Sequence, residues 1–261
     1  MNINKPKIGD ILLSFIAAII IIIPIIIMFS VSLGGGGGFQ NYIEIFALHN
    51  VGRYFLNSTI ISVSAVSIVT VIVLMSAFAF SKLNFPYKRL LYTFCLSALM
   101  LPGAAILVPV FQLSKALNML GTYWTVIGPV VAFSAPFTLL IAKNYYDNLP
   151  SALLEAALID GCSLLGLQGR IILPLSKPML MIVVVWTFLG AWNEYLFSMV
   201  FLRSRDMMTV TIIPSLFQAQ YAARVPMIFS SLVVIATPVM IIYFLLQKYI
   251  VAGLTEGAIK G

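Results

Sequence analysis

Of the eight carboxylates in the chain, only Glu194 falls inside a long apolar run. An ionisable side chain in such surroundings marks a functional position by default. On a helix, Trp186, Gly190, Asn193 and Phe197 share one face by the 3–4 spacing, with Glu194 one step around and Trp192 in the same stretch. Aromatic, amide and carboxylate together suit a sugar, whose hydroxyls need hydrogen bonds and whose C–H faces stack on rings. The same residues admit a structural reading, in which Glu194 caps a helix end or pairs with Arg203 or Arg205. No other constellation is equipped for catalysis. His49 is the single histidine, and Cys95 and Cys162 read as an apolar-run thiol and a reduced loop thiol, so neither a metal centre nor a disulfide is expected. No Gly-x-x-x-x-Gly-Lys-Ser/Thr phosphate loop occurs. No catalytic residue is assigned, and ATP with its Mg ion is expected on a separate chain.

A second pattern lies between residues 150 and 178. Pro150 precedes SALLEAALID, a helix-forming segment, and Gly161 follows as its stop. A second short helical stretch then runs to Leu173-Pro174, and Pro174 and Pro178 are expected to end it and to set the entry angle of the fifth apolar run. Gly161 stands where the chain must reverse, because a left-handed conformation costs glycine little. Glu155, Ala156 and Ala157 lie on the first helix, where small side chains let a partner backbone come close. The alternative is an amphipathic helix lying on lipid. Against it, SALLEAALID carries no lysine or arginine to hold anionic headgroups.

The elements that position these residues are membrane spans. The chain is 61% hydrophobic and 9% charged, with a mean hydropathy of +1.07, whereas soluble domains carry about a quarter charged residues. Apolar runs at about 11–33, 55–80, 90–112, 121–142, 178–202 and 226–247 are each long enough to cross about 30 Å of hydrocarbon as a helix. The expected fold is therefore all-α, six transmembrane helices in one domain covering 1–261. With the first end inside, the inner segments hold Lys5, Lys7, Lys82, Lys88, Arg89, Lys143, Arg170, Lys177, Lys248 and Lys260. The outer ones hold Arg53, Lys115, Arg203, Arg205 and Arg224. This asymmetry puts both termini in the cytoplasm and makes the connection of about 143–177 a cytoplasmic loop. It also accounts for the net charge of +7 without nucleic acid. Pro102, Pro109, Pro129, Pro136 and Pro238 interrupt spans three, four and six; such breaks either line a cavity or are simply tolerated. Gly34 to Gly38 read as a flexible linker.

The spacing Glu155-Ala156-Ala157, three residues, Gly161, nine residues, Ile171, one residue, Leu173-Pro174 matches without a gap the EAA motif of permease subunits of bacterial ABC importers. Asp160, the run Pro174 to Pro178, Arg53 to Ser58 and Ala191 to Tyr195 resemble the maltose-type carbohydrate permeases. The ending from Gln247 to Gly261 is similar to that of their second, shorter subunit. The first outer loop, short and featureless, departs from that family. The resemblance implies that the loop is a coupling helix, with Glu155, Ala156, Ala157, Asp160, Gly161, Leu173 and Pro174 docking into a cleft of an ATPase subunit. It further implies a heterodimer with a second permease, an ATPase dimer, an extracytoplasmic solute-binding protein, a bacterial inner membrane, and a tail (251–261) that reaches the ATPase pair. Trp186, Trp192, Asn193 and Glu194 are then the expected substrate path. Two other readings remain open: an ion-coupled secondary transporter, for which only Glu194 offers a coupling group, and an ABC importer for a non-sugar solute.

The missing phosphate loop yields a direct expectation. The purified chain alone binds no nucleotide in a filter or calorimetric assay, and stoichiometric ATP binding would overturn it.

Overall fold

A chain this apolar must close its backbone hydrogen bonds internally, and helices do so within one segment. A computed structural model describes residues 8–48, 50–218 and 224–258. Lys5, Lys7, His49, Lys260 and residues 259–261 of the tail lie outside them, as do the side chains from 249 onward. In chain order the helices are α1 (Ile8–Ser32), α2 (Gln40–Ala47), α3 (Val51–Lys82), α4 (Lys88–Ser97), α5 (Leu107–Ala116), α6 (Trp124–Asp147), α7 (Ser151–Ile159), α8 (Leu164–Leu167), α9 (Leu173–Leu175), α10 (Lys177–Trp192), α11 (Leu196–Phe201), α12 (Ile213–Leu216) and α13 (Val225–Ala258). A π-helical turn, Gln168–Ile172, joins α8 to α9.

Among the described residues, four helices are long and apolar enough to cross a membrane: Ile11–Ser32, Val51–Lys82, Trp124–Asp147 and Val225–Lys248. Two further apolar pairs are sharply bent, Lys88–Met100 with Gly103–Ala116 by 98° and Leu164–Leu175 with Lys177–Trp192 by 85°. The expected continuous span 90–112 is thus corrected to two helices broken at Leu101-Pro102. Leu101 is extended, as a residue before proline prefers to be, and Pro102 follows it in an extended conformation. Of the five prolines expected to interrupt spans, only Pro102 does so. Pro109 sits in the first turn of α5, where its missing N–H has no partner to lose, and Pro129, Pro136 and Pro238 lie within intact helices. The expected span 178–202 is also discontinuous, α10 giving way at Asn193–Tyr195 before α11. The second loop helix does not stop at Pro174 but one residue later, at Leu175.

The chain divides into two compact units. The first holds residues up to 52 and 212–238. Here the outer loop is not featureless. The glycine run is a turn with positive φ at Gly35, Gly36 and Gly38, and α2 follows directly. Asn41 Nδ2 locks the turn by donating to the carbonyls of Ser32 (2.8 Å) and Gly34 (3.3 Å). Gly35 is required twice over, by its φ of 68° and because a Cβ there would lie 2.9 Å from Pro226 Cγ. Arg224 pairs with Glu44 at 2.9 Å, and Ser230 Oγ donates to the Ser32 carbonyl at 2.8 Å. The isoleucines of α1 are exposed all round.

The second unit, 53–211 with 239–261, carries two apolar cores. One gathers Val69, Val73, Ala77, Leu139, Ala142 and Tyr146 of α3 and α6 with Leu154, Ala157, Leu167 and Ile172 of the loop and Met179 and Val183 of α10. The other joins Ile61 and Ala65 of α3 to Val126, Ile127 and Val130 of α6 and to Ala191, Phe197 and Phe201. The α13 backbone stays helical through Ala258, so part of the expected tail continues the last helix.

In lipid an exposed apolar side chain is already in apolar surroundings, so burial contributes through packing more than through transfer. Ile61→Ala, at a fully buried site, is expected to cost about 1–2 kcal/mol of packing and to lower the unfolding midpoint in detergent. Ile20→Ala, 63% exposed, is expected to leave it unchanged. Equal shifts for the two would contradict this assignment of the core.

Candidate coupling loop and membrane cleft

The loop between α6 and α10 is a folded element with one face held and one face free. Leu154 and Ala157, three apart on α7, point into the core, while Glu155, Ala156, Leu158, Ile159 and Asp160 are exposed. Ile159 is 85% exposed, and Leu153, Leu158, Leu164 and Leu165 are exposed beside it. The third residue of the Glu-Ala-Ala triplet is therefore small for a reason internal to the chain: Ala157 packs beneath the helix, and Ala156 is the one that offers close approach.

Helix α7 ends in a Schellman motif. Cys162 N donates to Ala157 O and Gly161 N to Leu158 O, each at 3.0 Å. Gly161 has a φ of 77°, and a Cβ there would meet nothing within 4 Å. Its constraint is conformational, not steric. Ser163 Oγ then accepts from Gly166 N at 3.2 Å and starts α8. The bend into α10 occurs at buried Ser176, whose Oγ donates to Ile172 O at 2.7 Å. Pro174 and Pro178 flank it and remove two N–H donors, so the helix cannot continue straight. Tyr145 O–H donates to Leu175 O at 2.7 Å and braces the corner. Leu173 is half-buried and Pro174 exposed.

Sequence reasoning missed Gln168 in the nine-residue gap of the motif. It is 8% exposed, and its Nε2 donates to Leu74 O of α3 at 3.0 Å and lies 3.4 Å from the Tyr146 hydroxyl of α6. Also unforeseen is the group formed by Asp147, which pairs with Lys143 at 2.6 Å and accepts from Ser81 Oγ at 2.7 Å.

The four residues expected to form a substrate path are not brought together. Trp192 is buried, stacked on Phe188 with centroids 5.5 Å apart and tilted against Phe55 at 6.0 Å. It is a core residue. Trp186 is exposed and packs on Phe137 at 4.2 Å. Asn193 is exposed and its Nδ2 donates back to Leu189 O at 3.0 Å, finishing α10. Glu194 Oε1 accepts from Phe197 N at 2.8 Å, capping α11. The structural expectation of a cap is met; the expected pairing with Arg203 or Arg205 is not, since neither forms an ion pair among the described residues.

Glu194 nevertheless lines a cleft of about 240 Å³, together with Gly103, Ala104, Phe133, Ser134, Gly190 and Phe197. Gly103 and Glu194 bring the helix breaks at Pro102 and at 193–195 to its wall. Small residues make the space, a phenyl ring and a carboxylate furnish it, and no cation lines it. Only Glu194, Gly190 and Phe197 of this set were singled out by spacing. Ser134 and Phe133 carry no signal that separates them from ordinary span residues. Among the described residues no three His, Cys, Asp or Glu side chains gather as a metal site.

Nearby, the Arg53-to-Ser58 segment braces a loop. Asn57 Nδ2 donates to the carbonyls of Asp206 and Met208, both at 2.8 Å, and Asn57 Oδ1 accepts from the Tyr123 hydroxyl at 2.7 Å. Ser58 Oγ accepts from Val210 N at 3.0 Å.

A profile of the family described as binding-protein-dependent transport system inner membrane component matches residues 72–256. The chain is 35% identical over 228 residues to the trehalose/maltose transport system permease protein MalG of Thermococcus litoralis, covering 85% of this chain and 81% of that one. It is 30% identical over 224 residues to the maltodextrin transport system permease protein MalD of Streptococcus pneumoniae, covering 85% and 80%. A bacterial ABC transporter involved in importing the acidic polysaccharide alginate shares the fold, with a TM-score of 0.78, 19% identity, and coverage of 95% and 99%. Over most of its length, then, this chain is a member of the binding-protein-dependent transport system inner membrane component family, the multi-pass permeases of ABC transporters.

Proposed function

We infer that this chain is the transmembrane pathway subunit of a carbohydrate importer, and that α7 is the helix through which a separate ATPase drives it. The observation that carries this reading is the split character of α7. Leu154 and Ala157 anchor it from below, while Ile159, Leu158 and Glu155 stand free on a segment that the positive-inside asymmetry places in the cytoplasm. Apolar side chains in water at the end of a rigidly capped helix call for a protein partner. The family's ATPase is that partner, and it supplies the nucleotide chemistry that this chain lacks.

In this reading α4 with α5 and α10 with α11 complete six spans with both ends cytoplasmic, α8 and α9 staying in the coupling loop. The exposed α1 meets lipid or a second permease in a heterodimer, the membrane is a bacterial inner membrane, and an extracytoplasmic protein delivers solute. The subunit itself catalyses nothing. The carbohydrate is supported by the substrates for which the relatives are named and by the chemistry of the Glu194 cleft. One carboxylate oxygen is engaged by the α11 cap, Phe133 offers a ring face, and the glycines leave room for a sugar.

Two experiments test these assignments. Gly161→Pro and Glu155→Lys both lie outside the lipid and leave insertion intact. Proline forbids the positive φ, and lysine reverses a charge whose loss from a desolvated pair costs about 2–5 kcal/mol, roughly 30-fold or more in affinity. Co-purification of the ATPase and its hydrolysis rate are expected to fall accordingly; a Glu155→Lys complex that assembles and hydrolyses normally would refute the docking role of α7. For the cleft, Glu194→Gln retains a capping oxygen and is expected to preserve thermal stability while lowering uptake. Glu194→Leu removes the cap as well and is expected to lose about 1 kcal/mol. Normal uptake by both variants would take the cleft off the substrate path.

A further inference from the structure

Helix α3 meets a loop at two places, each through one buried amide, and the two contacts are built alike. At one, Asn57 of α3 donates to the main chain of the 204–211 segment and accepts from Tyr123 at the start of α6. At the other, Gln168 of the coupling loop donates to the main chain of α3 at Leu74 and lies beside Tyr146 at the end of α6. Each amide thus joins a loop, α3 and a tyrosine at one end of α6. The two attachment points on α3 are about 26 Å apart along the helix at 1.5 Å per residue. Between them there is no glycine or proline, and valine and isoleucine predominate. Helix α6, running alongside, is also continuous but contains Pro129 and Pro136, each of which removes a backbone donor; α3 is the more completely hydrogen-bonded rod of the pair.

The inner contact is also unfinished. Leu74 O can only accept, so the Gln168 Nε2 must face it, and the buried Oε1 points away to a place with no donor. Leaving a buried acceptor unpaired is unfavourable, and such orphans are uncommon in settled cores. Gln168 also opens the π-helical turn Gln168–Ile172, and π-turns within helices concentrate at functional positions. An unsatisfied amide at the head of an irregular turn marks this contact as one that the core does not fully lock.

We propose that Gln168 and Asn57 are positioning residues of the transport cycle, two amide clamps that fix α3 between the coupling loop and the 204–211 segment so that movement of one loop reaches the other. This rests on the coupling reading of α7. Side-chain truncation at either clamp leaves the ATPase docking face, Glu155 to Ile159, untouched. It frees one end of the rod, so the signal is lost while the complex persists.

The test uses the full transporter in lipid nanodiscs, followed by amide hydrogen exchange of residues 204–211 with and without ATP plus orthovanadate. In the wild type, nucleotide trapping is expected to change exchange in this segment several-fold. Gln168→Met, which keeps length and apolar packing, is expected to abolish most of that change while ATPase co-purification and basal hydrolysis remain. Asn57→Ala, or the milder Ser58→Ala if that variant does not assemble, is expected to give fast exchange in both states. Its combination with Gln168→Met is expected to be no worse for nucleotide-driven change than either alone, the non-additivity of two parts of one linkage. An outer segment that answers nucleotide equally in wild type and Gln168→Met, or clamp effects that simply add, would overturn the proposal. A wild-type chain that retains no ATPase at all would refute the coupling reading beneath it.

Discussion

Lipid offers no water to satisfy a backbone group freed by a break or bend, so side chains in this protein take over that role where helices end or turn. At the α10–α11 break, Glu194 accepts from Phe197 N and its own carbonyl receives Thr211 Oγ1 at 3.0 Å and Ser198 Oγ at 3.3 Å. Ser176 and Tyr145 cover Ile172 O and Leu175 O at the bend into α10. At the end of α3, Lys88 Nζ donates to Leu83 O at 2.7 Å, and Lys82 Nζ reaches Leu149 O at 3.1 Å. Polar residues are few here, and much of their work is backbone repair. The places that need repair are also those where the chain leaves a straight crossing to make a cleft or a corner.

Packing follows the rule for helices in lipid, where close approach replaces hydrophobic transfer as the source of cohesion. The cores are seeded by alanines, Ala65, Ala77, Ala142 and Ala191, all at most 2% exposed; some buried hydroxyls bond one turn back, as Thr138 does on Ser134 O, whereas those of Ser62 and Thr187 find no partner. The larger buried side chains, Tyr146, Phe201 and Trp192, fill the space that these small contacts leave. The coupling loop belongs to the same core through Leu154, Ala157, Leu167 and Ile172. Helix α7 is therefore part of a packed body and not a tether.

The long apolar helices α1, α3, α6 and α13 were legible in the sequence because uninterrupted apolar length is a strong signal and its physical cause is local. Gly161 was legible for the same reason: a helix-forming run ended by a residue that tolerates positive φ is a local instruction, and the Schellman bonds carry it out. The breaks in the apolar runs 90–112 and 178–202 were not, since Pro102 breaks its helix while Pro129 and Pro136 do not, and that difference depends on neighbours. Asn57 was noticed only as part of a resemblance, and Gln168 not at all. Both owe their roles to carbonyls many residues distant, and no periodicity records a partner of that kind. The helical face drawn through Trp186, Asn193 and Phe197 failed because the helix does not continue past Trp192; the spacing assumed a regularity that the break removes.

In the proposed path, the structural role of Glu194 also serves its functional one. A carboxylate free to rotate in a membrane cleft would have no fixed place from which to meet a passing hydroxyl, and holding it there would cost side-chain entropy at each encounter. Capping α11 through Oε1 holds the group beforehand, on the rim of the space made by Gly103, Gly190 and Ser134. The backbone N–H of Phe197 supplies this as a neutral donor. In the proposed path, then, the cap is what makes the acid usable: the helix break creates the unpaired N–H, the N–H fixes the carboxylate, and the fixed carboxylate gives the cleft its one strong acceptor.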